Sequence, residues 1–101
     1  MCGITGIWNF DFFPVNLDEL NRFTDSLSHR GPDGRGIFID KESSVGLGHR
    51  RLAILDLTDT GKQPMQYINR YWITYNGEIY NFIELKKELE GLGYRFKSET
   101  D

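Results

Sequence analysis

Hydrophobic positions along the chain fall into short blocks whose spacing changes from strand-like to helix-like and back. Gly3 to Trp8 (Gly-Ile-Thr-Gly-Ile-Trp) is β-branched and apolar and predicts a strand almost from the first residue. Asn9 to Asn16 carries Pro14 and reads as a loop. From Leu17 to Ser28 the period lengthens: Leu20, Phe23 and Leu27 fall at i, i+3 and i+7, and Asn16 stands where an N-cap is wanted, so this segment predicts a helix. His29 to Gly36 packs three glycines and a proline into one loop. Two strands follow, Ile37 to Asp40 and Val45 to His49, joined by the polar turn Lys41-Glu42-Ser43-Ser44.

Arg51 to Leu57 reads as a further extended segment, and Thr58 to Pro64 as loop. Tyr71 to Tyr75 is aromatic and β-branched, a strand ending at Asn76-Gly77. Ile83 to Leu92 predicts a second helix with Leu85, Leu89 and Leu92 on one face and Gly91 and Gly93 as stop signals. Tyr94 to Lys97 predicts a last strand. Strands joined by hairpins, with helices between non-adjacent strands, imply an α+β fold with antiparallel sheets and flanking helices.

Composition narrows the function classes. At 101 residues the chain has room for one small domain, and 39% hydrophobic with 14% aromatic residues is ordinary for a globular protein. A net charge of −3 gives no electrostatic reason to expect nucleic acid. No apolar run reaches bilayer length and no signal-peptide pattern opens the chain, so neither membrane nor secretion is expected. One cysteine excludes an internal disulfide and fits a reducing cytoplasm. His29 and His49 lack metal-ligand spacing, and no nucleotide-binding fingerprint is present. The ending at Ser98-Glu99-Thr100-Asp101, directly after an expected strand, reads as a cut inside a domain.

Four features carry candidate chemistry, each with a plain alternative. Cys2 is either a small buried hydrophobe or a nucleophile. A small second residue permits removal of Met1, and the freed α-amine would then sit beside the thiol as its base, the logic of N-terminal nucleophile enzymes. Asn76-Gly77 is either a tight turn or a carboxamide and an N–H that together stabilise an oxyanion. One of Arg50 and Arg51 should point inward; Arg51 meets either an internal carboxylate or the carboxylate of a ligand. Asp101 would complement it as partner of a ligand ammonium, or is a loose end.

Taken together, Met1-Cys2-Gly3-Ile4, His29-Arg30-Gly31-Pro32-Asp33, Gly48-His49-Arg50-Arg51-Leu52, Gln63-Pro64-Met65, Tyr75 to Asn81 and Ser98 to Asp101 resemble the class II glutamine amidotransferase domain, in the branch of the glutamine-dependent asparagine synthetases. Tyr75 before Asn76 and Glu78 after Gly77 resemble that branch rather than the sugar-phosphate and phosphoribosyl branches. The resemblance implies that Cys2 attacks glutamine, that Asn76 and Gly77 form the oxyanion hole, and that Arg51 holds the α-carboxylate with backbone help from Ile54 and Leu55. It implies that Glu78 and Asp101 bind the α-ammonium.

It further implies the first part of a four-layer αββα sandwich, the N-terminal nucleophile hydrolase fold, and an absent C-terminal synthetase domain as partner. That absent domain would use ATP and Mg2+; this segment itself needs no cofactor. Glutamine is then the small-molecule partner, asparagine synthesis the use of the ammonia, and a homodimer an allowed assembly. Sugar or antibiotic biosynthesis, or a non-catalytic regulatory module, are the alternatives.

Overall fold

The computed structural model describes residues 1–42, 44–54 and 58–99. Three strands, β1 (Gly3–Trp8), β2 (Gly34–Asp40) and β3 (Val45–Arg51), form an antiparallel sheet in the order β1-β3-β2. Both β2 and β3 run further than their apolar cores predict. Gly34↔Arg51 and Asp40↔Val45 close the β2–β3 ladder at its two ends, so backbone pairing carries the polar and glycine ends into the sheet. A second sheet is the hairpin of β4 (Met65–Tyr67) and β5 (Tyr71–Ile73). The α+β reading with antiparallel sheets and two helices therefore holds.

Helix α1 (Leu17–Ser26) starts where capping predicts, with the Asn16 side chain accepting the Glu19 N–H at 3.0 Å and Asp18 and Glu19 in the positive first turn. Its fully buried residues are Leu20 and Thr24, both 0% exposed. They meet glycines: a Cβ on Gly46 would strike the Leu20 and Val15 side chains, and one on Gly48 would strike the hydroxyls of Thr24 and Thr5. Thr5 and Thr24 share a hydrogen bond at 2.9 Å across that contact. The close approach exists because β3 offers backbone rather than side chains to α1.

Strand alternation then sorts every other residue of β3. Gly46, Gly48 and Arg50 face α1; Val45, Leu47, His49 and Arg51 face the other way. The hairpin and the residues after it touch that second face at two points. Trp72 of β5 stacks on Phe38, the cross-strand neighbour of Leu47, with ring centroids 3.7 Å apart and planes at 10°. Thr74 reaches His49 (Nδ1···Oγ1 2.8 Å). The helix and the hairpin thus lie on opposite sides of the three-stranded sheet.

Three expectations fail. The segment after Arg51 leaves the ladder, because its N–H groups find other acceptors: Leu52 donates to Cys2 Sγ at 3.3 Å and Ala53 to the Asp33 carboxylate at 2.9 Å. Residues 55–57 of that expected extended segment lie outside the described residues. Tyr94 to Lys97 is not a strand; among the described residues no ladder includes it. It folds back on the second helix, α2 (Phe82–Gly91), where Lys86 lies over the Phe96 ring and 3.5 Å from the Glu99 carboxylate.

The third concerns turns. Asn76-Gly77 makes no hairpin; the hairpin turn is at Ile68-Asn69, both at positive φ (50° and 55°), with Arg70 N donating to Tyr67 O at 3.1 Å. A β-branched residue at positive φ gives no turn signal. Helix α2 does end by a glycine, though by Gly93 (φ 98°) and not Gly91. Tyr94 N donates to Leu89 O and Gly93 N to Glu90 O, the double bond pattern of a left-handed C-terminal cap.

Candidate functional site

The face of the three-stranded sheet turned away from α1 opens, at the end where β1 begins and β3 leaves the ladder, into a cavity of about 770 Å3. That volume is in the range of small-molecule sites. Cys2, Arg51, Ile54, Asn76, Gly77 and Glu78 all line it. Six of the eight residues singled out from the sequence thus converge, from three separate stretches of chain. The other two, Leu55 and Asp101, lie outside the described residues.

Each arrives by a local cause. Cys2 precedes Gly3, which pairs with Arg50 and faces α1; one step back, alternation turns Cys2 to the cavity side. Its half-buried sulfur is seated by Leu52, whose N–H donates at 3.3 Å and whose carbonyl is 3.7 Å away. The Cys2 carbonyl accepts from Arg30 Nε at 3.2 Å, tying the N-terminus to the loop before β2. Asp33 of the same loop binds Ala53 N–H, and its own N–H donates to Arg51 O at 2.9 Å. The glycine-rich loop therefore anchors the strand ends that carry Cys2 and Arg51.

The two arginines separate by face, and the internal ion pair belongs to Arg50. Its side chain, 15% exposed, donates from Nε to Gly31 O at 3.0 Å and lies 3.7 Å from the Asp25 carboxylate. Asp25 is held below the usual carboxylate range, first by its hydrogen bond from Arg35, with burial opposing and the charges of Arg35 and Arg50 adding. Arg51 instead lines the cavity, with Nη1 donating to Thr58 O at 2.7 Å and Gly61 against its guanidinium. A guanidinium is planar, and its fork of N–H groups suits a carboxylate.

Asn76 and Gly77 follow β5 in irregular backbone. Asn76 is half-buried and Gly77 is exposed beneath the Tyr75 ring, whose hydroxyl would clash with any Cβ on Gly77. Sequence reasoning passed over several neighbours. Gln63 lines the cavity and its Oε1 accepts Tyr75 N–H at 2.6 Å. Leu52 holds the sulfur through its backbone, which no side-chain pattern reveals. His49, a strand residue without metal-ligand spacing, is buried at 1% exposure and bonds Thr74. Its proton affinity is depressed below that of an ordinary imidazole, first by burial and then by the Arg51 charge. Among the described residues no cluster of His, Cys, Asp and Glu could hold a metal ion.

The arrangement sets a thiol, a carboxamide with an adjacent backbone N–H, and a guanidinium around one volume. That set suits attack on an amide whose substrate carries a carboxylate. Comparison with known proteins gives the same direction. The model of a family described as a glutamine amidotransferase domain matches residues 1–101. The chain is 43% identical over 105 residues to asparagine synthetase [glutamine-hydrolyzing] 1 of Bacillus subtilis, covering 100% of this chain and 16% of that protein. It is 47% identical over 105 residues to putative asparagine synthetase [glutamine-hydrolyzing] 2 of Methanocaldococcus jannaschii, covering 87% and 20%. Amidase chry2 of Gibberella zeae is 39% identical over 86 residues, covering 84% and 13%. The chain thus spans a fifth or less of the length of these curated relatives. No solved structure matches it significantly.

Proposed function

From the premise that the chain belongs to the glutamine amidotransferase domain family, we propose that it hydrolyses glutamine to glutamate and ammonia through Cys2. Removal of Met1 makes the Cys2 α-amine available as the proton acceptor for its own thiol. The sulfur attacks the δ-carbon of glutamine, and the C=O π electrons move to oxygen. The Asn76 side-chain N–H and the Gly77 backbone N–H stabilise that oxyanion. The Cys2 α-ammonium returns the thiol proton to the amide nitrogen, the oxyanion collapses, the C–N bond breaks, and ammonia leaves. Water then attacks the γ-glutamyl thioester and releases glutamate and the thiol.

Arg51 holds the substrate α-carboxylate bidentately, with backbone groups at Ile54 and Leu55, and Glu78 with Asp101 takes the α-ammonium. The observation that supports this reading best is the convergence of Cys2, Arg51, Asn76, Gly77 and Glu78 on one cavity.

In the whole protein the ammonia serves ATP-dependent asparagine synthesis from aspartate, in a C-terminal synthetase domain that uses ATP and Mg2+ and to which this segment docks as the first part of an αββα sandwich. Two relatives named glutamine-hydrolysing asparagine synthetases support that assignment. The similarity also extends to a protein named as an amidase and not as a synthetase, so a different acceptor for the ammonia is the second reading. A single cysteine and, among the described residues, no helix long and apolar enough to cross a membrane fit a reducing cytoplasm.

A γ-diazoketone analogue of glutamine tests the reading. One adduct on Cys2, suppressed by excess glutamine, is expected by intact-mass and peptide analysis. A Met1-free protein that resists the analogue, or that reacts equally fast with glutamine present, overturns it.

A further inference from the structure

The oxyanion donors sit where regular structure has ended. β5 stops at Ile73, and residues 74–76 belong to no ladder. Three side-chain bonds hold this stretch instead. Gln63 Oε1 accepts the Tyr75 N–H at 2.6 Å, Thr74 Oγ1 donates to Gly48 O at 3.4 Å, and His49 Nδ1 lies 2.8 Å from the same Thr74 oxygen. His49 is rigidly placed, flanked on the central strand by Ile4 of β1 and Gly36 of β2.

We infer that His49 is a positioning residue for the Asn76 and Gly77 donors, acting through the Thr74 hydroxyl. The inference rests on the oxyanion role proposed for those two residues.

Hydrogen counting favours one direction for the bonds. The Thr74 hydroxyl has one proton, which goes to Gly48 O; its oxygen then accepts from His49 Nδ1–H. That leaves Nε2 as a bare acceptor, and among the described residues it has no partner. The opposite tautomer would bury an unpartnered N–H at Nε2, a costlier arrangement. His49 is therefore neutral and protonated on Nδ1, and the chain of bonds runs from the central strand to the residue two positions before Asn76.

A leucine or phenylalanine would fill the same space without a buried polar atom, so the imidazole is explained by what it holds rather than by packing. Oxyanion donors work only when aimed within a few tenths of an ångström of the developing charge, and a frayed strand end cannot ensure that alone.

The test uses the Met1-free protein with substitutions at Thr74, His49 and Asn76. Thr74→Val keeps the shape and removes the hydroxyl. It should lower kcat for glutamine about ten-fold, the effect of roughly one hydrogen bond, while KM stays constant. Thr74→Ser should restore the rate, and His49→Asn, whose amide N–H approximates Nδ1–H, should keep part of it. Asn76→Ala should itself cost about 10²–10³ in kcat, and adding Thr74→Val to it should cost less than in the native background, because only the Gly77 N–H is left to misplace.

Equal losses from Thr74→Val in both backgrounds would overturn the inference, because the hydroxyl would then act independently of Asn76. A kcat unchanged by Thr74→Val alongside a slow Asn76→Ala overturns it too. A normal rate for Asn76→Ala removes the oxyanion reading itself, and this inference with it. Independently of turnover, ¹⁵N relaxation of the Asn76 side-chain amide should show lower order in Thr74→Val and recovery in Thr74→Ser; unchanged order refutes the coupling.

Discussion

Leu52 addresses the Cys2 sulfur twice, with its N–H at 3.3 Å and its carbonyl at 3.7 Å. Both contacts are backbone, so the sulfur keeps its seat whether or not Met1 is present, whereas the proposed base exists only after Met1 leaves. Intact mass of the active protein should therefore lack Met1. A tag fused ahead of Cys2 should abolish glutamine turnover while leaving the thiol open to a simple alkylating agent. Turnover by a protein with a blocked N-terminus would place the base elsewhere.

Arg51 and Arg50 are adjacent and serve different faces, so their conservative replacements should separate. Arg51→Lys should raise KM for glutamine about ten-fold with little change in kcat, because an ammonium cannot reproduce the planar fork. Arg50→Lys should leave KM alone and lower the melting temperature, since its partners are Gly31 O and the Asp25 carboxylate on α1. Steady-state kinetics and thermal melts on the two variants check the contrast.

Gly48→Ala should destabilise the fold by about 1–3 kcal/mol, the usual cost of overpacking a close contact. The added Cβ would fall on the Thr5 and Thr24 hydroxyls and break the bond that ties β1 to α1. Urea titration would measure this. A loss no larger than that of an exposed substitution would mean that α1 shifts freely over the sheet.

His49 gives stability a pH dependence whose sign is fixed. Its proton affinity is lower folded than unfolded, first through burial and then through Arg51. Below about pH 6.5, the ordinary imidazole value, the unfolded chain takes up the proton that the folded chain resists. Stability is complete above that pH and is lost as the pH falls. Asp25, held low chiefly by its hydrogen bond from Arg35, is lost only further down, in the carboxylate range. Denaturant midpoints from pH 7.5 to 5 should fall in the native protein and stay nearly flat in His49→Asn; parallel curves would remove His49 as the cause.

Much of this was legible in the chain. β1 was bounded to the residue and α1 to its N-cap, because alternation, 3.6-residue spacing and Asn16 are local signals. Tyr94 to Lys97 looked like a strand for the same local reasons, yet a strand needs a neighbour, and this one packs against Lys86 instead. The cavity residues were found because their side chains have distinctive chemistry. Leu52, Gln63 and Thr74 were missed because they act through backbone contacts or through one another, and a bond such as Gln63 to Tyr75 spans 12 residues with no periodicity to announce it. Which of Arg50 and Arg51 points inward was open until the register of β3 put them on opposite faces.

The stack of Trp72 on Phe38 joins the hairpin to the three-stranded sheet a short way from the cavity. The Trp72 indole stays 39% exposed, but one of its faces lies flat on a ring, and its emission alters when that ring leaves. The molecule thus carries an intrinsic optical reporter of whether the hairpin is seated, and with Trp8 replaced by phenylalanine that signal would come from Trp72 alone. Occupation of the cavity could then be followed by light, without a label.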